Sequence, residues 1–214
     1  MRKDLLFITL IVIFALAVSI IAFTISYTNP IRYSLRLFAL WGFLFLSIAV
    51  IITPFLKEIT LYFKKPFLRI HHYFAALGLT LITLHPILLA IEFMNPGVFV
   101  PTVGSLEIFL RNGGRQALII IYIAVVAVLL RRKMTNYWRP IHALMYVALF
   151  FGIVHANLIG RDFGNLFILI TFNALFAAAI AAFVLKRYQT YRLKKKLQAK
   201  KGRLNSYLNG FKTT

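Results

Sequence analysis

The chain has no cysteine and very few acidic residues. Among its 214 residues, five aspartates and glutamates stand against 25 lysines and arginines. Without cysteine, the protein has no disulfide, no thiolate-ligated metal cluster and no cofactor attached through thioether bonds. Any metal or redox centre in this chain therefore has to rely on histidine.

Glycine-rich loops for nucleotides are also lacking. Neither the dinucleotide pattern Gly-x-Gly-x-x-Gly nor a phosphate loop ending in Gly-Lys-Ser/Thr occurs in the sequence. We infer that the chain carries no nucleotide-binding domain of its own.

Hydrophobic residues, by contrast, make up 61% of the chain, and the mean hydropathy is +0.82. Such a composition is typical of a polytopic membrane protein. Apolar runs long enough to cross a bilayer predict helices at 5–27, 33–56, 68–94, 115–131, 136–159 and 165–186. We expect an all-α integral membrane protein, a six-transmembrane-helix bundle over residues 1–186. The first run is interpreted as a retained helix, because it ends in Thr28-Asn29-Pro30 without a small-residue cleavage pattern.

The distribution of positive charge predicts the orientation. One set of loops, together with the tail, holds Arg2, Lys3, Lys57, Lys64, Lys65, Arg69, Arg131, Arg132, Lys133 and Arg139. The opposite loops hold fewer, namely Arg32, Arg36, Arg111, Arg115 and Arg161. Since positive loops stay in the cytoplasm, both termini are predicted to be cytoplasmic and the protein to be multi-pass in the plasma or inner membrane.

A basic tail, residues 187–214, is predicted to follow the last helix. Much of the formal net charge of +20 comes from the basic residues between Lys186 and Lys212. Because the segment comes directly after a membrane helix, we interpret it as an anchor on anionic lipid headgroups rather than a nucleic-acid site. The alternative is a tail that also docks an acidic soluble redox protein.

Four histidines form two similar pairs within the apolar segments. His71 and His85 are 14 residues apart, and His142 and His155 are 13 apart. Ionisable side chains inside a membrane are costly and usually face a partner, a cavity or a cofactor. At about 1.5 Å of rise per residue, the two imidazoles of one helix lie about 20 Å apart along its axis. This arrangement suits two stacked haems, with His71 and His142 as the axial ligands of the inner one and His85 and His155 of the outer one.

The two pairs differ in helical phase. At about 100° per residue, His85 comes within roughly 40° of His71, whereas His155 is about 140° away from His142. A π-bulge, a kink near Gly152, or a helix crossing that presents different faces at different depths would each reconcile the second pair.

Some neighbouring residues are further candidates for the site. His72 has a spacing that also allows it to be the inner ligand, although the phase of the helix favours His71. Arg69, Arg115 and Arg139 lie near predicted helix ends, where a guanidinium could pair with a haem propionate or extend to lipid headgroups.

Two stretches carry a family resemblance. They are His71-His72-Tyr73-Phe74-Ala75-Ala76-Leu77-Gly78 with Leu84-His85, and Trp138-Arg139-Pro140-Ile141-His142-Ala143-Leu144-Met145-Tyr146 with His155. The sequence resembles the ferric reductase-like transmembrane domain, which forms the membrane core of NADPH oxidases and ferric reductases. Ile52-Thr53-Pro54-Phe55 and Lys65-Pro66-Phe67-Leu68-Arg69 make it similar to the haem-binding membrane subunit of the bacterial methionine-sulfoxide reductase system. The likeness covers most of residues 30–185.

The resemblance implies b-type haem held between the third and fifth of six helices. It also implies electron transfer from the cytoplasmic face to an external acceptor, such as ferric iron, oxygen or a periplasmic or extracellular reductase. That bacterial subunit has arginines where this chain has His71 and His72, so the four-histidine set is more similar to the oxidase core. Oxidases usually continue into flavin and NADPH domains, which are missing after Lys186. The expected electron donor is therefore a cytoplasmic flavoprotein or a membrane quinol.

The sequence thus predicts a haem b electron-transfer subunit of an oxidoreductase, with flavin or quinone supplied by a partner or bound at the cytoplasmic face. An alternative from another class is a haem-free small transporter or proton channel, with the histidines as proton relays. Glu92 is the one carboxylate expected inside the membrane for such a relay. A third possibility is a scaffold subunit that keeps the fold without the cofactor.

Overall fold

The structure is a computed structural model that describes residues 3–27, 29–102 and 104–212. Arg2, Thr28 and the last two residues of the predicted tail lie outside the described residues. The described part is helical and contains no β-strand, which confirms the all-α class. Its α-helices are α1 (Lys3–Ser26), α2 (Pro30–Ile51), α3 (Leu56–Phe63), α4 (Phe67–Phe93), α5 (Leu106–Arg111), α6 (Gly113–Leu129), α7 (Trp138–His142), α8 (Met145–Ile159) and α9 (Leu166–Lys212).

Five segments of the described chain are long and apolar enough to cross a membrane. They are Leu5–Ile25, Pro30–Ile51, Phe67–Phe93, Trp138–Ile159 and Leu166–Gly202. Helix α6 is apolar too, but its 17 residues give about 26 Å of helix against a hydrocarbon core of about 30 Å. The multi-pass membrane character is therefore confirmed, whereas the sixth crossing and the side of the termini stay predictions.

Local chemistry sets the ends of α2. The side chain of Asn29 caps the helix by accepting a hydrogen bond from the backbone N–H of Arg32 at 2.7 Å, and Pro30 occupies the first helical position. The helix therefore starts three residues before the predicted 33. It also ends at Ile51 rather than 56, and the separate eight-residue helix α3 follows.

Helices α2 and α4 pack antiparallel with their backbones in close contact. A Cβ atom on Gly42 would lie 2.9 Å from the backbone nitrogen of Ile82, and one on Gly78 would lie 2.8 Å from the backbone nitrogen of Leu46. Small residues allow this close approach, as they commonly do between membrane helices. The backbone of α2 is thereby brought within hydrogen-bonding distance of side chains on α4.

The interior is built mainly from apolar residues of α2, α6, α8 and α9. Phe172 and Ile168 on α9 and Val18 on α1 are among the most completely buried side chains. The ring of Phe172 packs between those of Phe43 and Phe163, with centroid distances of 6.0 and 5.9 Å. This cluster fixes α9 against the rest of the bundle.

Helix α9 is much longer than the prediction of 165–186. It runs for 47 residues from Leu166 to Lys212, about 70 Å, with no interruption at the predicted boundary between span and tail. The basic segment is thus a continuation of the last membrane helix. Side chains 187–202 are all exposed.

Candidate functional site

The four predicted histidines lie on two helical segments, and the structure brings them together in two pairs. His71 and His85 lie on α4, His142 ends α7, and His155 is on α8. All four are partly buried. His71 is adjacent to His142, while His85 and His155 line one cavity. This is the arrangement by depth that the sequence predicts; the assignment of the pairs as haem ligands stays a prediction.

Every one of these imidazoles donates a hydrogen bond from Nδ1 to a backbone carbonyl of a neighbouring helix. The acceptors are Ala49 at 2.9 Å for His71, Leu35 at 2.7 Å for His85, Ala124 at 3.3 Å for His142 and Arg111 at 2.6 Å for His155. A carbonyl oxygen only accepts, so the ring nitrogen facing it carries the proton. Each histidine is thereby fixed in the tautomer that leaves the Nε2 lone pair available for a metal.

The register of α2 against α4 explains the first two bonds. Leu35, Gly42 and Ala49 are spaced by seven residues on α2, and they meet His85, Gly78 and His71, spaced by seven on α4. Seven residues are two helical turns, so each set lies on one face of its helix. The close contact at the two glycines therefore brings a carbonyl to each of the two histidines.

A matching register relates the other two histidines to α5 and α6. Ala124 and Arg111 are 13 residues apart, as are His142 and His155, and the segments run antiparallel. Arg111 is the last residue of α5, and the N–H of Arg115 bonds to Asn112 instead of to Arg111. The carbonyl of Arg111 is thus free of that helical bond and accepts from His155.

A break in the helix reduces the difference in helical phase between His142 and His155. Ala143 and Leu144 form a turn between α7 and α8, where the N–H of Leu144 bonds to Ile141 and that of Tyr146 to Ala143. These three-residue bonds wind the chain by roughly 20° more per residue than an α-helix does, which reduces the calculated 140° between the histidines. The irregularity therefore lies beside His142, and α8 runs without interruption past Gly152.

The inner pair is compact. The ring centres of His71 and His142 are 6.4 Å apart, with planes inclined by 79°. Phe67 stacks on His71, at 5.8 Å and 24°. The ring of His72 lies 5.9 Å from that of His71, but the side chain of His72 is exposed and makes no hydrogen bond to the described residues. His71 is therefore the residue of the two that is partly buried and packs beside His142.

The outer pair lies in the wall of a cavity of about 390 Å³, within the range of roughly 300–1,000 Å³ that small-molecule and cofactor sites have. Its wall is mainly apolar, with Phe43, Pro86 and Ile153 among the lining residues. A few polar groups converge at the same cavity, namely Arg36, Asn112, Arg115, Arg161 and Asp162. A mainly apolar cavity with several arginines in its wall can take an apolar ligand that carries acidic groups.

Gly114 makes room at the outer pair. A Cβ atom on this residue would lie 3.1 Å from Nε2 of His155 and 3.2 Å from its Cδ2. The Nε2 side of the imidazole ring therefore packs with its face on a backbone position that has no side chain. The sequence gives no obvious signal for this role of Gly114, because Gly113 and Gly114 indicate only the end of a loop there.

The three predicted arginines divide into two groups. Arg115 lines the outer cavity and donates from Nη1 to the carbonyl of Val100 at 2.8 Å. Arg69 and Arg139 are exposed, two and three residues before His71 and His142, and the guanidinium of Arg139 lies 5.2 Å from the ring centre of Trp138. All three are thus near a histidine pair in sequence or in space.

An ion pair at the outer cavity was not predicted. Arg36 donates from Nε to Asp162 at 2.9 Å and forms a second contact through Nη2, and Asp162 is 4% exposed. Nη2 of Arg36 also donates to the carbonyl of Ala22 at 2.8 Å. The signal in the sequence is an arginine inside the apolar run 33–56 and one of only five acidic residues in the chain.

The donor set itself limits the kind of centre. Within the part of the chain that the structure describes, no group of three or more histidine, cysteine, aspartate or glutamate side chains is placed to hold a metal ion. Sites that hold a metal ion by side chains alone take three or four of them. Paired histidines instead suit a cofactor that brings its own equatorial ligands.

Comparison with known proteins adds no assignment. No protein-family model, no curated protein and no solved structure matches the chain.

Proposed function

We propose that this protein is a membrane electron-transfer subunit that binds two b-type haems, each between a histidine of α4 and one of α7–α8. His71 and His142 hold the inner haem, and His85 and His155 hold the outer one. The chain crosses the membrane six times with both termini in the cytoplasm, and the inner haem lies near the cytoplasmic side. Electrons pass from the cytoplasmic to the external side. The observation that carries this proposal is the set of four Nδ1 bonds to backbone carbonyls.

Those bonds supply what an axial ligand needs. A metal-bound histidine almost always donates its other ring N–H to a carbonyl, a carboxylate or water, which fixes the tautomer and raises the basicity of the ligating nitrogen. A buried packing histidine also needs a partner for its N–H, but four paired rings that all bond through Nδ1 leave every Nε2 lone pair available to a metal. All four paired histidines make this bond, whereas the neighbouring His72 does not.

The inner pair also fits by distance. Metal–imidazole bonds of about 2 Å, and about 1 Å more from nitrogen to ring centre, place two axial imidazoles with centres about 6 Å apart. The observed separation for His71 and His142 is 6.4 Å. The two residues thus have the spacing of ligands on opposite sides of one iron.

Haem with imidazole at both axial positions supplies one-electron transfer, because no position is left open for a substrate. The chain contributes the geometry: 14 residues of α4 keep the inner and outer sites about 20 Å apart along the membrane normal. The mainly apolar wall around His85 and His155 lowers the local dielectric constant at the outer site and so affects its potential.

Charged residues would hold the carboxylates of the cofactors. Arg115 and Arg161 line the outer cavity, where a guanidinium would pair with a propionate. At the inner pair, Arg69 and Arg139 are the nearby candidates. These four arginines would supply the positive charge that carboxylates of a bound cofactor need.

The proposed partners come from the resemblance to the ferric reductase-like transmembrane domain. We propose a cytoplasmic flavoprotein or a membrane quinol as the donor, and ferric iron, oxygen or a periplasmic or extracellular reductase as the acceptor. The likeness to the ferric reductase-like transmembrane domain supports this direction of transfer. On this account the protein acts as one component of an oxidoreductase.

The haem-free transporter fits the geometry less well. A relay needs imidazoles that exchange protons at both nitrogens, but here one N–H of each ring is engaged by a carbonyl. Glu92, the carboxylate expected to serve it, forms an ion pair with Arg32 at 2.7 Å. A proton relay requires neither the carbonyl bonds nor the ion pair. An axial histidine ligand, by contrast, requires a bond such as those to the carbonyls.

The test is the dithionite-reduced minus oxidised absorption spectrum of the detergent-purified protein. We expect sharp bands of low-spin b-type haem. A protein that stays colourless after haem supplementation would contradict the proposal and favour the scaffold or the transporter.

A further inference from the structure

The part of α9 that continues beyond Lys186 carries a dense group of positive charges. Counting about 20 residues for a span, the segment from Leu166 crosses the hydrocarbon core up to Lys186, the first charged residue of the helix. Residues 187–202, called here the extension, add about 24 Å of helix. Their side chains are all exposed.

Charge on the extension has one sign only. No acidic residue follows Asp162 in the sequence. The cations of the extension are Arg187, Arg192, Lys194, Lys195, Lys196, Lys200 and Lys201. Because no carboxylate of the extension compensates them, they form a surface that attracts an acidic partner.

Continuity of the helix places most of this charge away from lipid. A tail that lies on headgroups has to bend where it leaves the membrane, but α9 has no break, and neither glycine nor proline occurs before Gly202. The headgroup layer adds about 5–8 Å on each side of the core. Lys194 and Lys201 lie about 12 and 22 Å of helix beyond Lys186. These lysines therefore stand past the headgroups by a distance comparable with the Debye length of about 8 Å.

The base of the extension is next to the inner histidines. The ring of Phe183 packs on that of Tyr146 with centroids 4.6 Å apart, and the guanidinium of Arg187 lies 5.1 Å from the ring centre of Phe183. Tyr146 is four residues after His142, one turn along the same segment. A protein bound along the extension would therefore sit over the inner pair.

We propose that the extension docks a soluble cytoplasmic protein through an acidic face, and that this protein is the electron donor to the inner site. The unbroken helix and the position of its lysines favour a protein as the binding partner. The composition alone suggests lipid headgroups. The inference rests on the proposed function for the identity of the partner as a donor, but the docking itself does not require haem.

The test uses the full chain in nanodiscs of neutral phosphatidylcholine, with a flavodoxin, an acidic flavin protein, as the probe. The variant carries Lys194→Gln, Lys200→Gln and Lys201→Gln, which keep the helix because glutamine and lysine have similar helix propensities. The matched control carries Arg131→Gln, Arg132→Gln and Lys133→Gln in the loop before α7. Equilibrium binding is measured first, and then the rate of haem reduction by the reduced probe and by dithionite.

We expect the extension variant to weaken binding of the probe by about tenfold or more, and the loop control by less than about twofold. Reduction by the probe should slow in parallel, with reduction by dithionite unchanged. An equal loss in both variants, or no binding by the wild type, would overturn the proposal. So would loss of binding when anionic lipid is added to the nanodisc, because the extension would then lie on the headgroups. Absence of haem together with intact docking would instead contradict the proposed function alone.

Discussion

The imidazole rings of His71 and His142 lie with centres 6.4 Å apart and planes inclined by 79°. They come from two helical segments that are separated in sequence by α5 and α6, and each is held by a hydrogen bond from Nδ1 to the carbonyl of another helix, Ala49 or Ala124. The two rings are therefore fixed independently of one another. Their relative orientation is a property of the bundle and has a spectroscopic consequence.

Perpendicular imidazoles on one low-spin iron produce a strongly anisotropic electron paramagnetic resonance signal, whereas parallel ones produce an ordinary rhombic signal. For the variant His85→Ala, which should retain the inner haem alone, we expect the strongly anisotropic type. The measurement is the low-temperature spectrum of the oxidised variant. A rhombic signal would show that the rings reorient when haem binds.

The glycine contact between α2 and α4 should control stability. Replacing Gly78 with alanine places a Cβ 2.8 Å from the backbone nitrogen of Leu46, so the helices have to separate. We expect destabilisation of about 1–3 kcal/mol, measured by thermal unfolding in detergent. Gly164→Ala is the control, because a Cβ there meets nothing within 4 Å. Equal stability of both variants would refute the role of the contact.

Gly114 should be needed for the outer haem only. In Gly114→Val the new side chain fills the space beside Nε2 of His155, where a Cβ alone already comes to 3.1 Å. We expect this variant to lose the outer haem and keep the inner one. Gly104→Val is the control, since its Cβ makes only ordinary contacts, at 3.5 Å from Ile108. Pyridine haemochrome analysis measures the outcome, and two haems in Gly114→Val would count against the outer site.

The ion pair of Arg36 and Asp162 should set the potential of the outer haem. Asp162→Asn removes a negative charge from the cavity wall and should raise the midpoint potential, while Arg36→Gln removes a positive charge and should lower it. Shifts on the order of tens of millivolts are expected for charges at this range. The measurement is a spectroelectrochemical titration.

Another ion pair, between Arg32 and Glu92, provides the control for that experiment. Arg32 and Glu92 also pair at 2.7 Å, but neither lines the cavity, and Arg32 is about half exposed. Arg32→Gln and Glu92→Gln should therefore shift the outer potential much less. Shifts of the same sign in Arg36→Gln and Asp162→Asn would contradict the electrostatic explanation.

Hydropathy and depth were sufficient to predict where the long apolar helices lie and which histidines lie near each other. Apolar runs mark spans because lipid cannot satisfy a free backbone, and rise per residue gives the depth of a histidine along its helix. His71 was thus expected beside His142, and His85 beside His155. Each of these inferences uses only the sequence of a single helix.

The sequence did not predict the contacts between helices, the turn beside His142 or the helices without a strong apolar pattern. The turn at Ala143 and Leu144 changes the helical phase without a glycine or proline at either position. The register that brings Leu35 to His85 follows from backbone contact at Gly42 and Gly78, and a single sequence does not show which glycines face each other. The short helices α3 and α5, and the continuation of α9 past 186, have no strong apolar pattern to mark them.

The central claim is that two haems are held by these two histidine pairs, and the most direct test is the number of haems per polypeptide in wild type and single variants. Purified wild type should contain two b-type haems by pyridine haemochrome analysis. His85→Ala and His155→Ala should each retain one haem, the same inner one, with identical reduced spectra and midpoint potentials. One haem in the wild type, or loss of different haems in His85→Ala and His155→Ala, would contradict the account.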